Sequence, residues 1–414
     1  MDPRGCLDKP DRATFRPGPA CPQRTGWRCA AEIPAGRSAA ARTPDRVAPG
    51  DAAAGCTARL SLGAARRAGG HEARTHAALT RRIAMLTGRA YVGEHRAGRR
   101  YEGPVYFVPD RTLLQQEAAE LGIGGEGDLF GGVVPFAFVA TKTISHPLPD
   151  AQARAPQGWV HALGERLADA VLPGYAAFSR TDLERAGERL LTAGAVRIKA
   201  AHESGGNGQC VVRTPGELRA QAAALDASTL ERHGVVVERD LSRATTYSVG
   251  TALLGAWRVA YVGSQRQTVD HRGAEVYGGS DLMVVRGGLQ DLLALDLHEA
   301  QRRAVAQACR YDAEVMRAYP GTYASRRNYD VIAGRDGDGR LLSGVLEQSW
   351  RIGGASAAEL LAIEALARDP GLQCVRASTY ETYDGEVPDG AEIHYRGRDE
   401  RVGSLVKYGL VHPQ

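Results

Sequence analysis

At 414 residues and 44.2 kDa the chain exceeds the usual size of one domain, so two or three packed units are expected. The formal charge of +4 is carried by the beginning of the chain: residues 1–90 hold 16 Lys and Arg against 7 Asp and Glu, which leaves the rest at −5 and removes the electrostatic case for nucleic acid as a partner. With 43% apolar residues and no run of about twenty of them, a helical membrane span is excluded and small molecules are the expected partners.

Residues 1–70 are rich in Ala, Arg, Pro and Gly, lack a sustained period and are expected to be a disordered leader. No apolar stretch of a secretory signal follows Met1. The seven cysteines are odd in number, with no C-x-x-C pair, which fits a reducing cytoplasm rather than a disulfide framework or zinc site. Ordered patterning begins at His71: "EARTHAALTRRIAMLTG" reads as an amphipathic helix, "PVYFVP" as a strand, and "TLLQQEAAELGI" as a helix ending at Gly122. "GGVVPFAFVATKTISHPL" contains Pro135 and opens on paired glycines, so it reads as strand and loop. Residues 71–150 thus form a small α/β unit.

A second unit, 151–243, opens with the helix "GWVHALGERLADAVL" and continues with "TDLERAGERLLTAG", which Thr181 caps and Gly194 ends. Then come strand "AVRIKAA", glycine loop "HESGGNGQ", strand "CVVR", helix "TPGELRAQAAALD" and strand "GVVVERDL". The third unit, 244–414, is rich in strands. It also holds a long helix from "LHEAQRRAV", the hairpin "RRNYDVIAGRDGDGRLLSGVLEQSW" and the helix "ASAAELLAIEALAR".

Lysine is scarce, with Lys9, Lys142, Lys199 and Lys407 making 4 of 52 basic residues. Lys199 alternates with Val196 and Ile198, and its compact ammonium suits a nucleotide phosphate where a wide guanidinium fork fits less well. Gly205, Gly206 and Gly208 follow closely, and their backbone N–H groups are suited to phosphate oxygens, although neither G-x-G-x-x-G nor G-K-[ST] is present. Glu238 ends an apolar strand, where its carboxylate needs a donor: an adenine amino group, a ribose hydroxyl or a structural Arg. In the hairpin Asp330 falls beside Glu347, two hard oxygen ligands suited to magnesium, with Ser349 and Arg351 on the same face. Arg351 is placed to stabilise a transferring phosphoryl group. Gln265, Arg266, His271 and Tyr277 crowd a glycine-interrupted strand region on the candidate substrate side; a solvated hairpin is the plainer reading there.

A strand with Lys, a glycine loop, a strand ending in Glu and paired acidic strands with an E-x-N-x-R-like ending resemble the ATP-grasp superfamily over roughly 100–370. Here these are Lys199, "SGGNGQ", Glu238, Asp330 and "LEQSWRIGG". "DLFGGVVPFAFVATKTISHPL", "QTVDHRGAEVYGGSDL" and "VLEQSWRIGGASAAE" are similar to a family of proteobacterial proteins whose domain has no assigned function. The resemblance implies an α/β (α+β) fold with a small N-terminal α/β unit, a lid subdomain and a larger C-terminal antiparallel sheet. It further implies ATP held by Lys142, Lys199 and Glu238, and Mg2+ held by Asp330 and Glu347. Ser349 stands where the superfamily commonly has an Asn ligand, and Arg326 and Arg327 leave the register of its phosphate arginine open. The implied activity is activation of a carboxylate as an acylphosphate for attack by an amine or thiol. A non-catalytic ATP-binding sensor or scaffold is the alternative, and a dinucleotide oxidoreductase has only generic glycines in its favour.

Overall fold

A computed structural model describes residues 55–62, 70–202, 208–383 and 385–413. It begins with β1 (Cys56–Leu60), α1 (His71–Leu86), β2 (Ala90–Glu94) and β3 (Val105–Pro109), and β1 lies in the middle, parallel to both other strands. The disordered leader expected over 1–70 is therefore corrected at its end. Cys56, Thr57, Ala58 and Leu60 are buried in a pairing that no local periodicity of an Ala/Arg/Gly-rich stretch announces, because its partners lie 34 and more residues ahead. Most of the remaining leader lies outside the described residues.

Next are β4 (Leu113–Leu114), α2 (Gln115–Glu120) and β5 (Gly132–Val134). The helix expected from "TLLQQEAAELGI" starts later than its pattern, because Leu113 and Leu114 pair with Val133 and Val134, and Glu117 accepts from the Leu114 amide at 2.9 Å. After β5 the chain makes two 3-10 turns, Ala137–Ala140 and Lys142–Ser145, as a strap rather than a strand.

The next part comprises α3 (His161–Arg166), β6 (Gly174–Ala177), α4 (Arg180–Leu191), β7 (Val196–Ala200), β8 (Gln209–Val212), α5 (Pro215–Ala224), α6 (Ala227–His233) and β9 (Val235–Arg239). Its antiparallel sheet runs β6-β9-β7-β8. Two local expectations change. α3 stops after six residues because the following segment pairs with the C-terminal sheet, the Val345 amide donating to the Ala170 carbonyl at 2.7 Å. The cap of α4 is Ser179, whose Oγ accepts from the Asp182 amide at 3.1 Å, which places Thr181 inside the helix. Val196, Ile198, Val235 and Val237 pack with residues of α4 and α5, so the alternate positions Lys199, Val236 and Glu238 face the other side.

The C-terminal part contains β10 (Ser242–Leu254), β11 (Trp257–Val269), β12 (Glu275–Arg286), α7 (Leu289–Leu293), α8 (Glu299–Ala318), β13 (Tyr323–Ala324), β14 (Arg326–Arg335) and β15 (Leu341–Ser349). α9 (Ser356–Arg368), β16 (Cys374–Thr382), β17 (Glu392–Asp399) and β18 (Gly403–His412) complete it. Eight strands form one antiparallel sheet in the order β15-β14-β10-β11-β12-β16-β18-β17, while β13 pairs with β5. Val249, Val331 and Val345 pack with α8 on one face, and Ala252, Tyr261 and Leu282 pack with α9 and α1 on the other. β15 carries one extra residue: Val345 pairs with Val331 and Glu347 with Asp330, leaving Leu346 between them. Among the described residues no helix is long and apolar enough to cross a membrane.

Below α9 the buried Arg326 guanidinium meets Glu359 at 2.6 Å, with side-chain exposures of 1% and 0%. Tyr261 Oη lies 2.7 Å from the same carboxylate. Removing one partner strands the other charge in the core, so Glu359→Ala is expected to cost about 3–5 kcal/mol, read as a lowered midpoint in urea. A midpoint within error of the unchanged protein would show that Arg326 finds water instead.

Candidate active site

β7 and β9 set Lys199 diagonally across from Glu238 on the face away from α4 and α5. The Lys199 ammonium pairs with Glu238 Oε1, and His146 Nε2 lies 3.1 Å from Oε2; the three side chains are no more than 5% exposed. Burial alone would raise the Glu238 carboxyl, but Lys199 and His146 outweigh it and hold it at about 2. The partners of Glu238 are thus a Lys and a His rather than the structural Arg considered from the sequence. Of the glycines, Gly208 has φ +62°, a conformation that favours glycine, and its carbonyl accepts from the Ala200 amide at 3.0 Å. Gly205 and Gly206 lie outside the described residues.

The hairpin places Asp330 directly opposite Glu347, the neighbours expected from the sequence, through the extra residue at Leu346. Asn328 Nδ2 and Gln265 Nε2 donate to Asp330 Oδ1 at 2.8 and 2.9 Å, and Lys142 Nζ lies 3.0 Å from Glu347 Oε2. Burial, and then the neighbouring Glu347 charge, push the Asp330 carboxyl up to about 6. The two carboxylates lie side by side with the Lys142 ammonium against one of them, and a pair of hard oxygen donors in this arrangement fits a small divalent cation. Among the described residues no group of three or more His, Cys, Asp or Glu is arranged to hold a metal. Magnesium tolerates that, since it takes one or two carboxylates and fills its shell with water and substrate phosphates.

Ser349 Oγ lies 3.4 Å from Arg326 Nη1, and its carbonyl accepts from that nitrogen at 3.0 Å. Asn328 stands across the ladder from Ser349, so an amide is present beside the carboxylates although it comes from β14. Arg351 follows β15, with Nη1 donating to the Ile352 carbonyl at 2.9 Å. The other arginines are engaged structurally: Arg326 with Glu359, and Arg327 with Asp312 and Glu126.

The strap joins the two clusters. Gln348, between Glu347 and Ser349, points to the opposite face, where Nε2 donates to the Val139 and Thr141 carbonyls at 2.7 and 2.8 Å. Tyr311 Oη donates to Gln348 Oε1 at 2.8 Å and lies 3.0 Å from Ser145 Oγ. So held, one turn of chain sends Lys142 to Glu347 and His146 to Glu238. Sequence reasoning named Lys142 but not His146, whose only signal was its place four residues after that lysine.

The candidate substrate-side residues divide. Gln265 joins the Asp330 cluster, and Tyr277 Oη lies 2.7 Å from Ser280 Oγ. Arg266 pairs with Asp281 and lies over Tyr380, while His271 lies beside Tyr383 at the end of the β11–β12 hairpin. A cleft of about 360 Å³, lined in part by Arg243, Tyr247, Arg303 and Arg335, opens on the face of the sheet opposite Asp330 and includes none of the candidate residues.

The model of a family described as Protein of unknown function (DUF3182) matches residues 60–409. No curated protein matches the chain in sequence. Among solved structures, N5-carboxyaminoimidazole synthetase from Staphylococcus aureus aligns with a TM-score of 0.50 at 10% identity, over 86% of this chain and 94% of that one. N5-carboxyaminoimidazole synthase from Aspergillus clavatus, in complex with ADP and 5-aminoimidazole ribonucleotide, aligns at 0.47 with 11% identity, over 87% and 95%. Phosphoribosylamine–glycine ligase from Thermotoga maritima aligns at 0.45 with 13% identity, over 86% and 92%. The chain has the ATP-grasp fold that the order of its motifs resembles, with mixed α/β units and a large antiparallel C-terminal sheet.

Proposed function

This chain belongs to the family described as Protein of unknown function (DUF3182), and for it we propose an ATP- and magnesium-dependent ligase that activates a small-molecule carboxylate as an acylphosphate for attack by an amine or thiol. The observation that carries this reading is the strap: one short segment meets both a buried Lys–Glu pair suited to a nucleotide and an acidic pair suited to a cation.

In this reading Lys199 and Lys142 supply point charges to phosphate oxygens, and Glu238 accepts from the nucleoside. Asp330 and Glu347 would hold magnesium, with Ser349 at its side, and magnesium when bound supplies charge neutralisation at the β- and γ-phosphates. Asn328 and Gln265 fix the Asp330 carboxylate. Arg351 meets the transferring phosphoryl group. The substrate carboxylate oxygen bonds to the γ-phosphorus as the bond to ADP breaks; the amine or thiol then bonds to the acyl carbon, inorganic phosphate leaves with the C–O electron pair, and the nucleophile loses a proton. The chain's contribution is position and charge.

A second reading, a non-catalytic ATP-binding sensor or scaffold, is favoured by Ser349, whose Oγ accepts from Arg326 Nη1 at 3.4 Å and which offers a hydroxyl where an amide oxygen is the commoner ligand. Turnover separates the two: ADP release stimulated by a mixture of carboxylates and amines supports the ligase, and binding without release supports the sensor. The binding test is thermal stability with Mg·ATP beside Mg·GTP and NADPH; stabilisation by Mg·ATP is expected, and no shift with any nucleotide removes both readings. Glu347→Gln is expected to keep the fold and weaken magnesium-dependent nucleotide binding by about tenfold or more. Unchanged magnesium dependence in calorimetry would take Glu347 out of the metal site.

A further inference from the structure

His146 takes no step in the ligase reading, yet its surroundings are built around it. The imidazole is wholly buried, and Nε2 meets Glu238 Oε2 at 3.1 Å. A carboxylate at low pKa only accepts, so Nε2 carries the hydrogen. Among the described residues Nδ1 is buried with no partner, which leaves the bond to Glu238 as the ring's one anchor among them. Space for the ring comes from Gly174, which pairs with Glu238 across β6 and β9. A Cβ at Gly174 would lie 2.8 Å from both Cε1 and Nδ1 of the ring and 2.9 Å from the Glu238 Cβ. Its φ is not in the left-handed region, so this glycine answers to crowding, not to backbone conformation.

Lys199 holds the other oxygen of Glu238. In the ligase reading that lysine also serves a phosphate, and a lysine drawn to a phosphate releases its hold on the carboxylate. We propose that His146 is the positioning residue that keeps the Glu238 carboxylate oriented towards the nucleoside while Lys199 engages phosphate. The inference rests on Glu238 being the nucleoside acceptor, and it makes recognition of the nucleoside, rather than of the phosphates, the property that depends on His146.

The test compares His146→Gln, whose amide can place an N–H near the position of Nε2, with His146→Asn, whose shorter amide cannot reach Glu238. Calorimetry on the full chain measures Mg·ATP and magnesium tripolyphosphate, a probe without a nucleoside. Asn is expected to weaken Mg·ATP by about tenfold, the size of one hydrogen bond to a charged group, and to leave tripolyphosphate within about twofold. Gln is expected to stay within about threefold of the unchanged protein for both. An Asn variant that binds Mg·ATP normally, or loses both ligands in proportion, overturns the inference, as does a Gln variant that recovers nothing. Failure of the unchanged protein to bind Mg·ATP would instead remove the nucleotide reading on which the inference stands.

Discussion

Lys199→Ala is expected to abolish stabilisation by Mg·ATP altogether. For a ligand at a hundred times its dissociation constant that stabilisation is about 2.7 kcal/mol, or several degrees in melting temperature. The same substitution also strips Glu238 of its closest countercharge in a position that is 2% exposed, so the unliganded protein should melt earlier as well. The two effects are separable. Lys199→Met combined with Glu238→Gln removes the charge and its partner together; it should recover much of the unliganded stability and still show no shift with Mg·ATP. A full Mg·ATP shift in Lys199→Ala would mean that the nucleotide binds elsewhere, and the Lys–Glu pair would then be a structural ion pair.

Deleting residues 1–70 is expected to cost at least about 5 kcal/mol relative to deleting 1–54, since it removes several buried side chains worth roughly 1–3 kcal/mol each and the backbone pairing with them. β1 supplies the middle of a parallel sheet: Ala58 and Leu60 pack with Phe107 and Leu113, and Arg59 donates to the Ala73 carbonyl at 2.6 Å. Without it β2 and β3 lose their shared neighbour, and α1 loses a support on which it meets β17 and α9. Melting curves of the two deletions decide the matter. Coincident midpoints would show that β1 contributes nothing to the folded body.

These outcomes trace what could be read from residues alone. The Lys199 alternation was legible because it is a period of two within one strand, and the nearness of Asp330 to Glu347 was legible because both lie on one hairpin; their exact pairing was not, since counting from the turn sets Asp330 opposite Leu346 and only the extra residue in β15 brings Glu347 there. β1 was not legible, because five residues in an Ala-, Arg- and Gly-rich stretch become a strand only through partners supplied later. His146 stands 92 residues from Glu238, and Gln265 stands 65 from Asp330, so no spacing rule joins either pair. Arg326 matched the expected phosphate arginine in type and neighbourhood, yet Glu359 on α9 claims it from 33 residues away. The cap at Ser179 rather than Thr181 is a smaller case, where two hydroxyl residues compete and backbone geometry chooses.

The extra residue at Leu346 ties the acidic pair to a count rather than to a chemical identity. In an even strand Val345 and Glu347 would share a face, so either the valine would leave the core beneath α8 or the carboxylate would enter it. The unpaired residue lets both be satisfied two positions apart. Almost any side chain at 346 would leave that parity intact, whereas a strand one residue shorter would keep every functional letter and turn the site inside out. Relatives of this chain are therefore better compared by the length of this strand than by the motif written along it.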